Sequence, residues 1–162
     1  MNAKEKIMTR STIAEVFTIA AVTALALGVT PTANADDKGC SNATLKGTFA
    51  HRGAGFITAP AGLAGPLAHV GTVTFDGKGG VTATGIVSQN GNIVPATEIG
   101  TYAVNPDCTG TYTTQVSPVG ITSHIYFVID DNGDEVQILE TDAGTVIAGV
   151  LRRQFSVGDW RQ

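Results

Sequence analysis

Apolar and polar residues alternate along most of this chain, and clusters of Gly, Asn, Asp and Pro break the alternation every ten residues or so. The clearest instance runs from Gly100 to Thr114. Tyr102, Ala103 and Val104 lead into Asn105-Pro106-Asp107, and Thr109-Gly110-Thr111-Tyr112 leaves in the same style. β-Branched and aromatic residues suit a pleated, half-buried surface, while Asn, Pro, Asp and Gly suit the turn between two strands. The same grammar surrounds Asp76-Gly77-Lys78-Gly79-Gly80 and Asp130-Asp131-Asn132-Gly133, and Asn90-Gly91 carries the signal of a tight hairpin. Strands are predicted at residues 44–56, 67–76, 81–88, 93–104, 109–116, 121–130, 135–140 and 145–153. Leu45, Phe49 and His51 would share one face of the first. Residues 58–66, rich in Ala, Gly and Pro, are predicted as a loop, and residues 155–162 as a tail whose Phe155 and Trp160 would plug an open end. No helical period appears beyond the first residues. The prediction is an all-β fold, an eight-stranded antiparallel barrel of consecutive hairpins, with a β-sandwich as the alternative. An even number of hairpin-linked strands closes naturally, and closure removes exposed sheet edges.

The first 35 residues read differently. Lys4, Lys6 and Arg10 form a basic start, residues 16–29 are uncharged and apolar, and Ala33-Asn34-Ala35 is a small-residue cleavage site. These are the parts of a secretory signal peptide. The apolar run, about 14 residues, falls short of the roughly 20 that span a bilayer as a helix. Residues 36–162 are then expected to be a single exported domain, secreted or periplasmic, without a transmembrane segment. About 127 residues suffice for one core and not for two. The formal net charge is −4, and only Arg152 and Arg153 are adjacent basic residues after the leader. That excludes nucleic acid as an expected partner, because phosphate backbones need clustered Lys and Arg.

Cys40 and Cys108 are the only cysteines. In an oxidising compartment an isolated pair is expected to form a disulfide, worth roughly 4 kcal/mol for so long a loop in the chain-entropy model. The two cysteines and the scattered His51, His69 and His124 show no metal-ligand spacing, and no cofactor is implied. Residues 130–135 lack the sixth-position Gly and twelfth-position Glu of a calcium loop, and no Gly-x-Ser-x-Gly elbow is present. The remaining chemistry lies at polar positions on otherwise apolar strand faces. Glu98 shares a face with Val94, Tyr102 and Val104, Glu140 with Val136 and Ile138, and Arg152 with Val146, Ala148 and Val150. Were all these faces inward, Glu98, Tyr102, Glu140 and Arg152 would form a polar cluster in an apolar pocket. There a desolvated carboxylate could act as general acid or base and Arg could hold negative charge. The other reading of these residues is a solvated face or a structural ion pair. The histidines read as half-buried strand residues.

Residues Cys40-Ser41-Asn42-Ala43-Thr44-Leu45-Lys46-Gly47-Thr48-Phe49, Val73-Thr74-Phe75-Asp76-Gly77-Lys78-Gly79 and Asn105-Pro106-Asp107-Cys108-Thr109-Gly110-Thr111 together resemble a group of small secreted bacterial proteins. That likeness covers nearly all of residues 36–162 and brings no activity with it. The hairpin rhythm is also similar to the barrel shared by allene oxide cyclases and dirigent proteins. It implies an eight-stranded barrel, often assembled as a symmetric homo-oligomer, whose apolar cavity takes a lipid-like or phenolic ligand. None of that family's site residues aligns with a position here. Two functions follow as expectations: an exported barrel that binds a small apolar ligand or serves as a structural module, or a cyclase or isomerase working inside the barrel.

Overall fold

The computed structural model describes residues 39–154, so the leader and the tail with Phe155 and Trp160 lie outside the described residues. Eight strands form a closed barrel: β1 (Gly47–Ile57), β2 (Gly65–Phe75), β3 (Gly80–Gln89), β4 (Asn92–Val104), β5 (Thr109–Ser117), β6 (Ile121–Asp130), β7 (Glu135–Glu140) and β8 (Thr145–Arg153). Each pairs antiparallel with the next, and β8 returns to β1 with Phe49 opposite Arg153 and Ile57 opposite Thr145. The predicted barrel is therefore the observed one, and the sandwich is not.

Strand alternation decides what lies inside. Phe49 and His51, Val73 and Phe75, Val81 and Ala83, Ile125 and Phe127, Val136 and Ile138, and Ile147 and Leu151 are buried, while the strand positions out of phase with them face out. A cylinder this narrow needs sharply coiled strands, and inward glycines supply the bends. A Cβ at Gly55 would run into the carbonyl of Val146, and one at Gly100 into that of Thr113. Neither strand could approach its neighbour so closely with a side chain there.

The two ends of the cylinder differ. At the lower end the first predicted strand starts late, because Asn42–Leu45 is a 3₁₀ turn. The Thr44 amide donates to the Ser41 carbonyl at 2.9 Å, and the Ser41 amide donates to Thr44 Oγ1 at 3.0 Å. The turn carries the fully buried Leu45 across the barrel opening. Beneath it the aromatic rings pack edge to face, Phe49 on Phe75 at 5.6 Å and Phe75 on Tyr102 at 4.8 Å between centroids. The expected disulfide joins Cys40 to Cys108 with Cα atoms 4.9 Å apart, tying the plug to the β4–β5 turn. Arg153 completes the closure. Its guanidinium lies 4.5 Å over the Phe49 ring and donates to Asp134 Oδ1 and to the carbonyls of Lys46, Thr44 and Gly133.

At the upper end the connections leave the interior open. The predicted loop is shorter than residues 58–66, since β2 already begins at Gly65 and Ala61–Leu63 makes a single 3₁₀ turn. This loop, the β5–β6 turn with Pro118 and Val119, and the β7–β8 turn with Asp142 and Ala143 form the rim of a cavity.

Candidate functional site

The cavity at the upper end has a volume of about 270 Å³, just below the usual range for ligand pockets. Its wall is mostly apolar: Ile57, Leu63, Leu67, Val87, Val94, Val116, Ile121, Ile138 and Ile147 contribute. The space exists because inward positions in this half carry small or branched side chains, whereas the same strands carry Phe and Tyr lower down. Tyr112 forms part of the floor and is 4% exposed.

Two carboxylates project into this apolar space. Glu98 on β4 accepts a hydrogen bond from Thr114 Oγ1 at 2.8 Å. Thr114, on β5, stands opposite Ser123 on β6, whose hydroxyl lies 3.5 Å from Glu140 Oε1 on β7, the outer limit of a hydrogen bond. Loss of hydration raises the pKa of both acids. For Glu140 the neighbouring Asp142 and Glu98 charges add to the burial, and its pKa is pushed up to about 7. Burial acts first on Glu98 as well, opposed by the Thr114 hydroxyl. The Tyr112 hydroxyl is held protonated by burial and by the charges of Glu98 and Glu140.

A second polar pair sits across the wall. His51 Nε2 and His69 Nε2 are 3.0 Å apart, so one ring carries its proton there and the other presents a lone pair. Burial, then the proximity of His69, lowers the pKa of His51 to about 3, and burial lowers that of His69. Both rings are neutral at ordinary pH. Among the described residues no set of three or more His, Cys, Asp or Glu is placed to hold a metal ion.

The predicted four-residue cluster is thus divided. Glu98 and Glu140 both line the cavity, as their strand faces suggested. Tyr102 faces inward but belongs to the closed end, where its hydroxyl donates to the Asn42 carbonyl at 2.8 Å. Arg152 faces outward, with its side chain 72% exposed and paired with Glu135 at 2.8 Å. The reason is local: Ile147 and Leu151 claim the interior, which sends Val146, Ala148, Val150 and Arg152 out. His124 also lies on the outer wall, bonded to Asp142 at 2.7 Å. Sequence reasoning missed Tyr112, although its alternation with Thr114 and Val116 placed it on one face with them, and it missed the pairing of His51 with His69.

No protein-family model and no curated protein matches the chain. A solved structure of a redesigned β-barrel is similar, with a TM-score of 0.52 and 14% identity over 70% of this chain and 95% of that one. The fold and mouth define a small closed β-barrel with one plugged and one open end. The likeness supports the barrel, and the likeness to secreted bacterial proteins or to allene oxide cyclases finds no support in it.

Proposed function

We propose that residues 36–162 form an exported barrel, released by cleavage after Ala35, that binds a small apolar ligand in its open mouth. The observation that carries this reading is the cavity of about 270 Å³ with its apolar wall and few convergent polar groups. The Cys40–Cys108 bond agrees with an oxidising compartment, secreted or periplasmic. No helix among the described residues is long and apolar enough to cross a membrane. A purely structural module would gain nothing from leaving this interior unfilled, since each missing contact costs dispersion energy.

The cyclase or isomerase alternative retains Glu98 and Glu140 as acid or base. It loses Tyr102 and Arg152, and among the described residues no Lys or Arg lines the cavity to hold developing negative charge. Binding is therefore the preferred reading. A homo-oligomer would use the outer wall, where Phe56, Val70, Ile93, Ile99 and Val146 are exposed. The test is native mass spectrometry of the protein recovered from an exporting host. The expected result is a chain beginning at Asp36 that carries a small apolar compound or takes up added n-octanol. A chain that stays bare with n-octanol present would overturn the reading.

A further inference from the structure

The cavity is apolar yet electrostatically one-sided. Glu98, Glu140 and Asp142 line it, and among the described residues no Lys or Arg does. Its two histidines pair with each other, and Asp142 is already engaged by the amide and ring nitrogen of His124. Among the described residues Glu140 keeps only the 3.5 Å approach of Ser123, at the outer limit of a hydrogen bond. The floor adds a separate observation. Tyr112 is more than nine-tenths buried, lines the cavity, and its hydroxyl has no hydrogen-bond partner among the described residues. Strand register sets Tyr112, Ile125 and Glu140 side by side across β5, β6 and β7, which brings the free hydroxyl and the free carboxyl to one level.

No fully buried side-chain oxygen or nitrogen among the described residues lacks a partner, so these oxygens open onto the cavity itself, where a ligand that donates to them gains bonds the protein does not supply. The missing partner is a hydrogen-bond donor with positive charge. We infer that the mouth takes a small apolar amine, its hydrocarbon against the branched wall and its ammonium between Glu140, Glu98 and the Tyr112 hydroxyl. This inference rests on the ligand-binding reading and names the ligand's chemistry. An ammonium supplies several donors at once, and charge-assisted bonds in a water-poor site are stronger than neutral ones. A fatty carboxylate would meet two acids and no cation. An alcohol would satisfy one oxygen and leave the charge imbalance untouched. Glu140 titrates against Glu98, Asp142 and Ser123 facing it from β4, the β7–β8 turn and β6, so bound ammonium would draw its proton off.

The experiment is calorimetric titration of the protein recovered from an exporting host with n-octylamine, n-octanol and n-octanoate at about pH 8, where Glu140 is ionised. The amine is expected to bind at least about tenfold more tightly than the alcohol, and the carboxylate most weakly. In Glu140→Gln, checked for folding by its melting curve, the amine-to-alcohol ratio should fall toward one. Tyr112→Phe should lower the same ratio by a smaller factor. Equal affinities for amine and alcohol, a preference for the carboxylate, or an unchanged ratio in Glu140→Gln overturn the amine assignment and leave apolar binding standing. If none of the three binds, both readings fail.

Discussion

The two ends of this barrel use the same strands and the same backbone cylinder, yet they have opposite interiors. The closed end is filled by Phe49, Phe75, Tyr102 and Phe127, plugged by Leu45 and held by a disulfide and by Arg153. The open end has Gly, Ala, Val and Ile at equivalent inward positions and places Glu98, Glu140 and the histidine pair there. Side-chain volume along each strand, and not strand number, makes the cavity, because an eight-stranded barrel is just wide enough for either outcome. Dense packing and open space are thereby separated along the barrel axis. One end contributes most of the packing, and the other bears the cost of desolvated polar groups.

That separation is tested first where packing is densest. Phe49→Ala should destabilise the protein by about 3–5 kcal/mol in urea unfolding, whereas Val94→Ala, beside space that is already empty, should cost less than about 1.5 kcal/mol. Equal losses at the two ends would break the comparison. Next in size is the covalent tie. Replacing Cys40 and Cys108 by Ser should cost about 4 kcal/mol or somewhat less, read from the shift in urea midpoint at constant slope.

The neighbouring arginines sharpen the contrast between inside and outside. Arg153→Ala removes four hydrogen-bonded contacts and strands the carbonyls of Thr44, Lys46 and Gly133, so a loss of about 2 kcal/mol is expected. Arg152→Ala breaks only an exposed pair with Glu135 and should cost no more than about 0.5 kcal/mol. Thermal melts of the two variants, side by side, measure the difference.

One effect has the opposite sign and belongs to the mouth. The folded pKa of Glu140, about 7, lies above its ordinary 4.5, so the native state binds the proton more tightly than the unfolded chain. Stability from this group is greatest below its ordinary pKa and falls as pH rises through the folded value. Glu140→Gln should therefore stabilise the protein by on the order of 1–2 kcal/mol at about pH 8 and leave it unchanged at about pH 4. His51 works the other way: its folded pKa of about 3 lies below the ordinary 6.5, so its contribution is lost as pH falls through that interval. A Glu140→Gln variant less stable than the parent at about pH 8 would show that the carboxyl is not the desolvated burden described here.

Much of the fold was legible because each strand announced itself twice, by alternation and by turn residues at its ends. β6, β7 and β8 have the predicted limits, and the other strands differ from prediction by one to three residues at one end or both. The largest shift is at β1, where Ser41 and Thr44 bond to each other's backbone and hold a turn in place of an extended start. The site was half legible. Glu98 and Glu140 interrupt apolar faces, which left inward and solvated readings open, and both line the cavity. Arg152 interrupts an apolar face too, but in β8 both faces are apolar, and alternation alone does not say which is inside. Tyr102 and Tyr112 both face inward, and only their height in the barrel separates a plug contact from a cavity floor.

Although it left barrel and sandwich both open, the sequence by itself determined the strands, the hairpin order and the partnership of Cys40 with Cys108. These depend on period, turn chemistry and count, all of which are local or nearly so. Tertiary structure alone decided which face of β8 looks inward, that His51 meets His69, and that Glu98, Glu140 and Tyr112 converge on one cavity. Those relations depend on the shear of a closed sheet, which sets the height of each residue against residues far away in the chain.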